Sequence, residues 1–210
     1  MKIIKVVLLS CILFFSFANA NEDDSGVLLG IQLGYAGMEY DGSAKTNITE
    51  LSINNSSSGI SYGFLLGYQH FFNDTHGLRA YVDYVISSAG NYCVNFYCKN
   101  AYYNTYGLAL DYLFNFKNDA FNSYGIFVGA SYDYASFDKS DFGTLEDMKG
   151  GGLGANVGFR YAYQKMSLEF GIKYHFFKLE KDYGSSILYD SAKESMMPTY
   201  NVFLRANYTF

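Results

Sequence analysis

Eight stretches of this chain alternate apolar and polar residues, and each apolar face stays free of charge over five alternate positions. A period of two is the signature of a β-strand with two different faces. The segments are 26–40, 58–71, 77–88, 101–116, 122–137, 151–163, 167–179 and 198–210. In the first, Val27, Leu29, Ile31, Leu33 and Tyr35 share one face, while Gly30, Gln32, Gly34 and Ala36 share the other. Five alternate positions match the length a tilted strand needs to cross a hydrocarbon layer. A soluble sandwich would alternate too, but with shorter strands and with charges on its outward face. The expected fold class is therefore all-β, an eight-stranded antiparallel up-and-down transmembrane β-barrel.

The connections alternate as well. Residues 72–76, 117–120 and 164–166 are short polar turns, whereas 41–57, 89–100, 138–150 and 180–197 are longer. Short turns on one side and long loops on the other are the pattern of outer-membrane barrels. The last segment ends Asn207-Tyr208-Thr209-Phe210. This ending resembles the C-terminal assembly signal of bacterial outer-membrane β-barrels, with Phe210 terminal and Tyr208 two residues before it. The resemblance implies that the barrel-assembly machinery reads these two residues.

The N-terminus agrees with export. Lys2 and Lys5 precede the apolar run Val6 to Phe17, which is too short to span a bilayer as a helix. Ala18-Asn19-Ala20 then offers a small-x-small cleavage site. The expected domains are a signal peptide, residues 1–20, and an outer-membrane barrel, residues 21–210. Losing Lys2 and Lys5 takes the formal charge from -5 to -7. An acidic protein is not expected to bind nucleic acid, and it has no broad basic surface for lipopolysaccharide phosphates. The 22 Tyr and 19 Phe suit interfacial girdles and contact with outer-membrane lipid and lipopolysaccharide acyl chains.

Sorting charges by face puts Arg79, Arg160, Lys173 and Arg205 in the lumen against Asp83, Asp111, Asp133 and Glu169, with His175 beside them. An eight-stranded barrel is just wide enough for side chains to fill it. Charges enclosed there must pair, because an isolated buried charge is very costly. Arg160 and Glu169 flank the last short turn at equal distance and are expected to face each other. The set reads as a salt-bridged plug; the alternative is a narrow polar pathway for ions.

Cys11 leaves with the signal, so Cys93 and Cys98 remain. In an exported protein two cysteines favour a disulfide; a metal site is the alternative, although no His, Asp or Glu lies between them. Tyr92, Phe96 and Tyr97 surround the pair. Three scattered His without ligand spacing do not suggest zinc, and nothing calls for a cofactor. No His-x-Ser and no His on a lipid face near a long loop supports catalysis, so no enzymatic activity is expected.

Strand for strand, the mature chain resembles the small barrels of the OmpA N-terminal, OmpX and opacity-protein kind. That resemblance implies a role in envelope integrity or in surface adhesion to a host or cell-surface ligand through the loops. Both termini would then be periplasmic. The alternative function is a small porin passing ions or small solutes.

Overall fold

The structure, a computed structural model, describes residues 25–46, 49–94, 97–119, 121–137, 148–182 and 191–210. Residues 1–20, the expected signal peptide, lie outside this part. The described chain forms β1 (Gly26–Lys45), β2 (Glu50–Phe71), β3 (His76–Val94), β4 (Tyr97–Asn118), β5 (Asn122–Phe137), β6 (Lys149–Tyr163), β7 (Met166–His175), β8 (Leu179–Asp182) and β9 (Ser191–Thr209). β7 and β8 both pair with β9 and are two pieces of one wall strand. The wall thus has eight strands, all antiparallel, and β1 pairs with β9 to close it.

The register sets the shape. A walk across the ladder from Gly26 passes Gln69, Arg79, Asp111, Gly129, Asn156, Lys173 and Asn201. It returns to β1 at Ala36, ten residues further along. That stagger tilts the strands by about 40° and leaves a bore that side chains can fill.

The faces sort as the period of two requires. Ile31, Leu108 and Leu153 are 65%, 62% and 67% exposed, which only a lipid environment makes stable. Exposed tyrosines ring the apolar belt at both ends, such as Tyr35, Tyr62 and Tyr106 at one and Tyr112, Tyr124 and Tyr208 at the other. The end with the 72–75, 119–121 and 164–165 connections also holds Gly26 and Phe210, and is called the turn end. The opposite end is the hairpin end.

Strands run further at the hairpin end than alternation predicts. Residues 41–57, expected as a loop, are mostly ladder, and β1 pairs β2 from Gly26↔Gln69 to Lys45↔Glu50. Residues 191–197 likewise belong to β9. Beyond the lipid belt both faces are wetted, so the backbone keeps pairing while the apolar alternation disappears. The expected strand 167–179 is broken at 176–178. Across the break on β9 lies Pro198, the chain's single proline, which has no N–H to donate. The β1–β9 register also slips there, between Ala36 and Met38.

Candidate functional site

The bore is built from inward positions of all eight wall strands, and its polar residues fall into two layers. The layer nearer the turn end is centred on Glu169 of β7. Arg79 of β3 reaches across to it, Nη1 to Oε1 at 2.5 Å, and also holds Asp111 through Nη2 at 2.6 Å. Arg205 of β9 lies 3.5 Å from Glu169 Oε2 and donates to Gln32 Oε1 at 3.2 Å. Arg160 of β6 sits opposite Glu169 in the register, with Nε 4.0 Å from Oε1. The guanidinium planes also lie over rings: Arg205 over Phe203 at 4.4 Å, Arg79 over Phe127 and Arg160 over Phe71 at 5.3 Å each. Such contacts suit arginine more than lysine in a dry site.

The second layer is centred on Lys173 of β7. Its Nζ donates to Asp83 of β3 at 2.8 Å and to Asp133 of β5 at 3.0 Å. Ser131 Oγ donates to Asp133 Oδ2 at 2.6 Å, and His175 Nδ1 lies 3.2 Å from the same oxygen. Asn156, opposite Lys173 in the register, donates to Asp111 at 2.6 Å and to Tyr81 at 3.2 Å.

β3 and β7 are four strands apart in an eight-stranded wall, so they are diametrically opposed. Two ties therefore cross the bore, Arg79–Glu169 and Asp83–Lys173, with reversed polarity. On both strands the two residues are four positions apart on the inward face. The nearer layer sets Arg79, Arg160 and Arg205 against Asp111 and Glu169, an excess of one positive charge. The second sets Lys173 against Asp83 and Asp133, an excess of one negative charge, with His175 uncharged in this count. The offsets cancel. All nine of these residues are buried.

Glycines make room for this filling. A Cβ at Gly107 would overlap the Asp83 and Asp133 carboxylates. Gly158 and Gly171 face each other across β6 and β7, and the Phe127 ring covers both, 2.5 and 2.7 Å from where their Cβ atoms would sit. Beneath Gln32, Ser87, Tyr103, Lys173 and His175 there is a cavity of about 10 Å³, room for one water.

Above the second layer, toward the hairpin end, the bore turns apolar. Met38, Tyr40, Tyr103, Phe137, Phe177 and Met196 form one buried cluster with Leu179 and Met148. Sequence reasoning missed this plug, although Met38, Tyr40 and Phe137 continue the inward parity of their strands.

Of the other singled-out residues, Tyr208 and Phe210 stack edge to face at 4.9 Å and are exposed on the outer wall. The Phe210 N–H donates to Val27 O at 2.9 Å, next to the β1–β9 seam. Cys93 and Cys98 lie in β3 and β4 rather than in a loop, directly opposite each other in the register. Their side chains fall outside the described part. Among the described residues no group of His, Cys, Asp and Glu is arranged to hold a metal ion.

Three solved structures are similar to this chain. The outer membrane protein OprG from Pseudomonas aeruginosa is 14% identical, with a TM-score of 0.53, covering 89% of this chain and 96% of that one. Neisserial surface protein A is 16% identical, with a TM-score of 0.42, covering 87% and 97%. Ail, the attachment invasion locus protein of Yersinia pestis, is 18% identical, with a TM-score of 0.40, covering 88% and 99%. No curated protein matches by sequence. A family model, the outer membrane protein beta-barrel domain, matches residues 7–210. Together with the closed eight-stranded wall and its lipid-facing belt, that match makes the chain a member of the outer membrane protein β-barrel family.

Proposed function

We propose that this protein is a non-conducting surface barrel that supports the envelope and presents its hairpins for adhesion. The observation that carries the reading is the pair of crossed ties, backed by the apolar plug. A conducting bore would need water where Arg79, Glu169, Asp83 and Lys173 meet. With the lumen filled, the described parts available for recognition include the extensions β1–β2, β3–β4 and β8–β9.

Residues 1–20 are removed, and both termini and the short turns lie in the periplasm. The hairpins face outward, and lipopolysaccharide chains pack on the apolar belt. Tyr208 and Phe210 sit at the last strand's end, where the barrel-assembly machinery would read them. Cys93 and Cys98 are opposed across two strands, which suits a disulfide. Alkylation under denaturing conditions should label neither thiol without a reductant and both with one.

Catalysis is not part of the reading. Ser131 and His175 both turn to Asp133, so the hydroxyl lacks the imidazole partner a nucleophile needs. The test is attachment of cells expressing the full chain to host-cell monolayers. Replacing residues 41–57 by a two-residue turn should abolish the added attachment while leaving the heat-modifiable barrel band in gels. Unchanged attachment would overturn the adhesion reading.

A further inference from the structure

The apolar belt is not smooth. On its turn-end half, between β4 and β9, the outer wall holds a hollow of about 250 Å³ with an almost wholly apolar lining. Tyr124, Tyr161 and Leu168 form one register row along it. Phe159, Phe170 and Leu204 form the next row toward the middle of the barrel. The register partner of Leu168 on β9 is Ala206, so only a methyl stands on that side. The lining is too apolar to hold ordered water, so in a bilayer the hollow is filled by hydrocarbon.

A β-bulge places a cation at its rim. The β4–β5 register runs Asn115↔Gly125 and then Lys117↔Tyr124, so Phe116 is the extra residue. Without that slip Lys117 would share the inward parity of buried Asn115. With it, Phe116 and Lys117 both stand exposed, and Phe116 lines the hollow. The Lys117 Nζ lies 5.6 Å from the centre of the outward Tyr124 ring. Tyr124 belongs to the turn-end girdle, so Lys117 is at headgroup depth. Lys117 also meets the Asp119 carboxylate at 3.2 Å; both side chains are exposed, so that pair is weak and a phosphate can replace it. Lys165, exposed on the turn between Tyr163 and Met166, adds a second positive charge at this end of the hollow.

We infer that this hollow binds one anionic phospholipid, with its phosphate at Lys117 and one acyl chain laid along Leu168 and Phe159. The chain gains burial against a shaped surface, and the lysine supplies the preference for a headgroup of net negative charge, such as phosphatidylglycerol. That the lipid comes from the periplasmic leaflet rests on the turn orientation proposed above; the binding chemistry does not.

The chain contains no Trp, so a single introduced one reports only its own surroundings. Phe159→Trp puts a reporter in the hollow. Leu66→Trp puts one on the exposed face of β2, diametrically opposite β6 in the eight-stranded wall. The full barrel is reconstituted in phosphatidylcholine vesicles with rising fractions of phosphatidylglycerol brominated on its acyl chains, and quenching of fluorescence is read. Brominated phosphatidylcholine is the reference. In Phe159→Trp the brominated phosphatidylglycerol should be preferred about fivefold, and raised salt should weaken the preference. In Leu66→Trp the two lipids should quench alike. Adding Lys117→Gln to Phe159→Trp should erase the preference, and Lys117→Arg should keep it; the heat-modifiable gel band confirms that each barrel is folded. Equal quenching by both lipids in Phe159→Trp, which means annular lipid only, would overturn the inference. The same preference in Leu66→Trp, or a preference untouched by Lys117→Gln, would overturn it too. So would relief of quenching as protein concentration rises, the mark of a second copy in the hollow, or displacement by lipid A more readily than by unbrominated phosphatidylglycerol.

Discussion

The bore and the hairpin end are made by the same strands and treat polar groups in opposite ways. In the bore, every charge identified in the two layers has an opposite charge within 4.0 Å. At the hairpin end, ion pairs such as Lys178–Asp41 are exposed, and among the described residues no strand pairs with β2 on its β3 side beyond Ser61. Burial explains the contrast. An unmatched charge inside costs several kcal/mol, so the inward sequence is tightly specified. Outside, water satisfies what the protein does not, so the same strand can leave its edge unpaired.

The contrast is broken most severely at Glu169. Replacing it with Leu leaves Arg79, Arg160 and Arg205 around an apolar stub. Unfolding in denaturant should show a loss of about 3–5 kcal/mol. Ser56→Ala on the hairpin should change stability by less than about 0.5 kcal/mol. If the two variants unfold alike, the distinction between the regions fails. A packing version is Gly158→Val, whose added methyls meet the Phe127 ring; it should cost about 2 kcal/mol in the same measurement.

A sharper comparison sets two ion pairs side by side. A double-mutant cycle on Asp83→Asn and Lys173→Met should give a coupling of about 1–2 kcal/mol. The same cycle on Asp41→Asn and Lys178→Met should give well under about 1 kcal/mol, because that pair is exposed and screened. Equal couplings would mean that the bore is wetter than its geometry indicates.

How far these regions were legible in the sequence follows the same division. The inward charges could be read because alternation is strict inside the lipid belt, and equal distance from the last short turn placed Arg160 opposite Glu169. The crossing of the ties also required counting strands, since β3 and β7 oppose each other only in a wall of eight. The apolar plug was overlooked because the pattern inverts there: Met38 and Tyr40 turn inward while Glu39 and Asp41 take the outer face. Met148 and Met196 even fell in segments expected to be loops. The paired edges of residues 41–57 were hidden because that segment is mostly polar at both parities.

The smallest effect belongs to the turn end. Gln164 adopts φ 50 in the two-residue connection between Tyr163 and Met166. That left-handed position suits Gly or Asn. Gln164→Gly should raise stability by about 0.5–1 kcal/mol, read as a later denaturant midpoint at unchanged slope.

The central claim is that the bore is shut by its own side chains, and single-molecule current recording tests it most directly. The purified protein, reconstituted in a planar bilayer, should give a flat trace across the voltage range. Discrete conductance steps that shrink when Arg79 or Arg205 is replaced by Gln would contradict it and establish a pore.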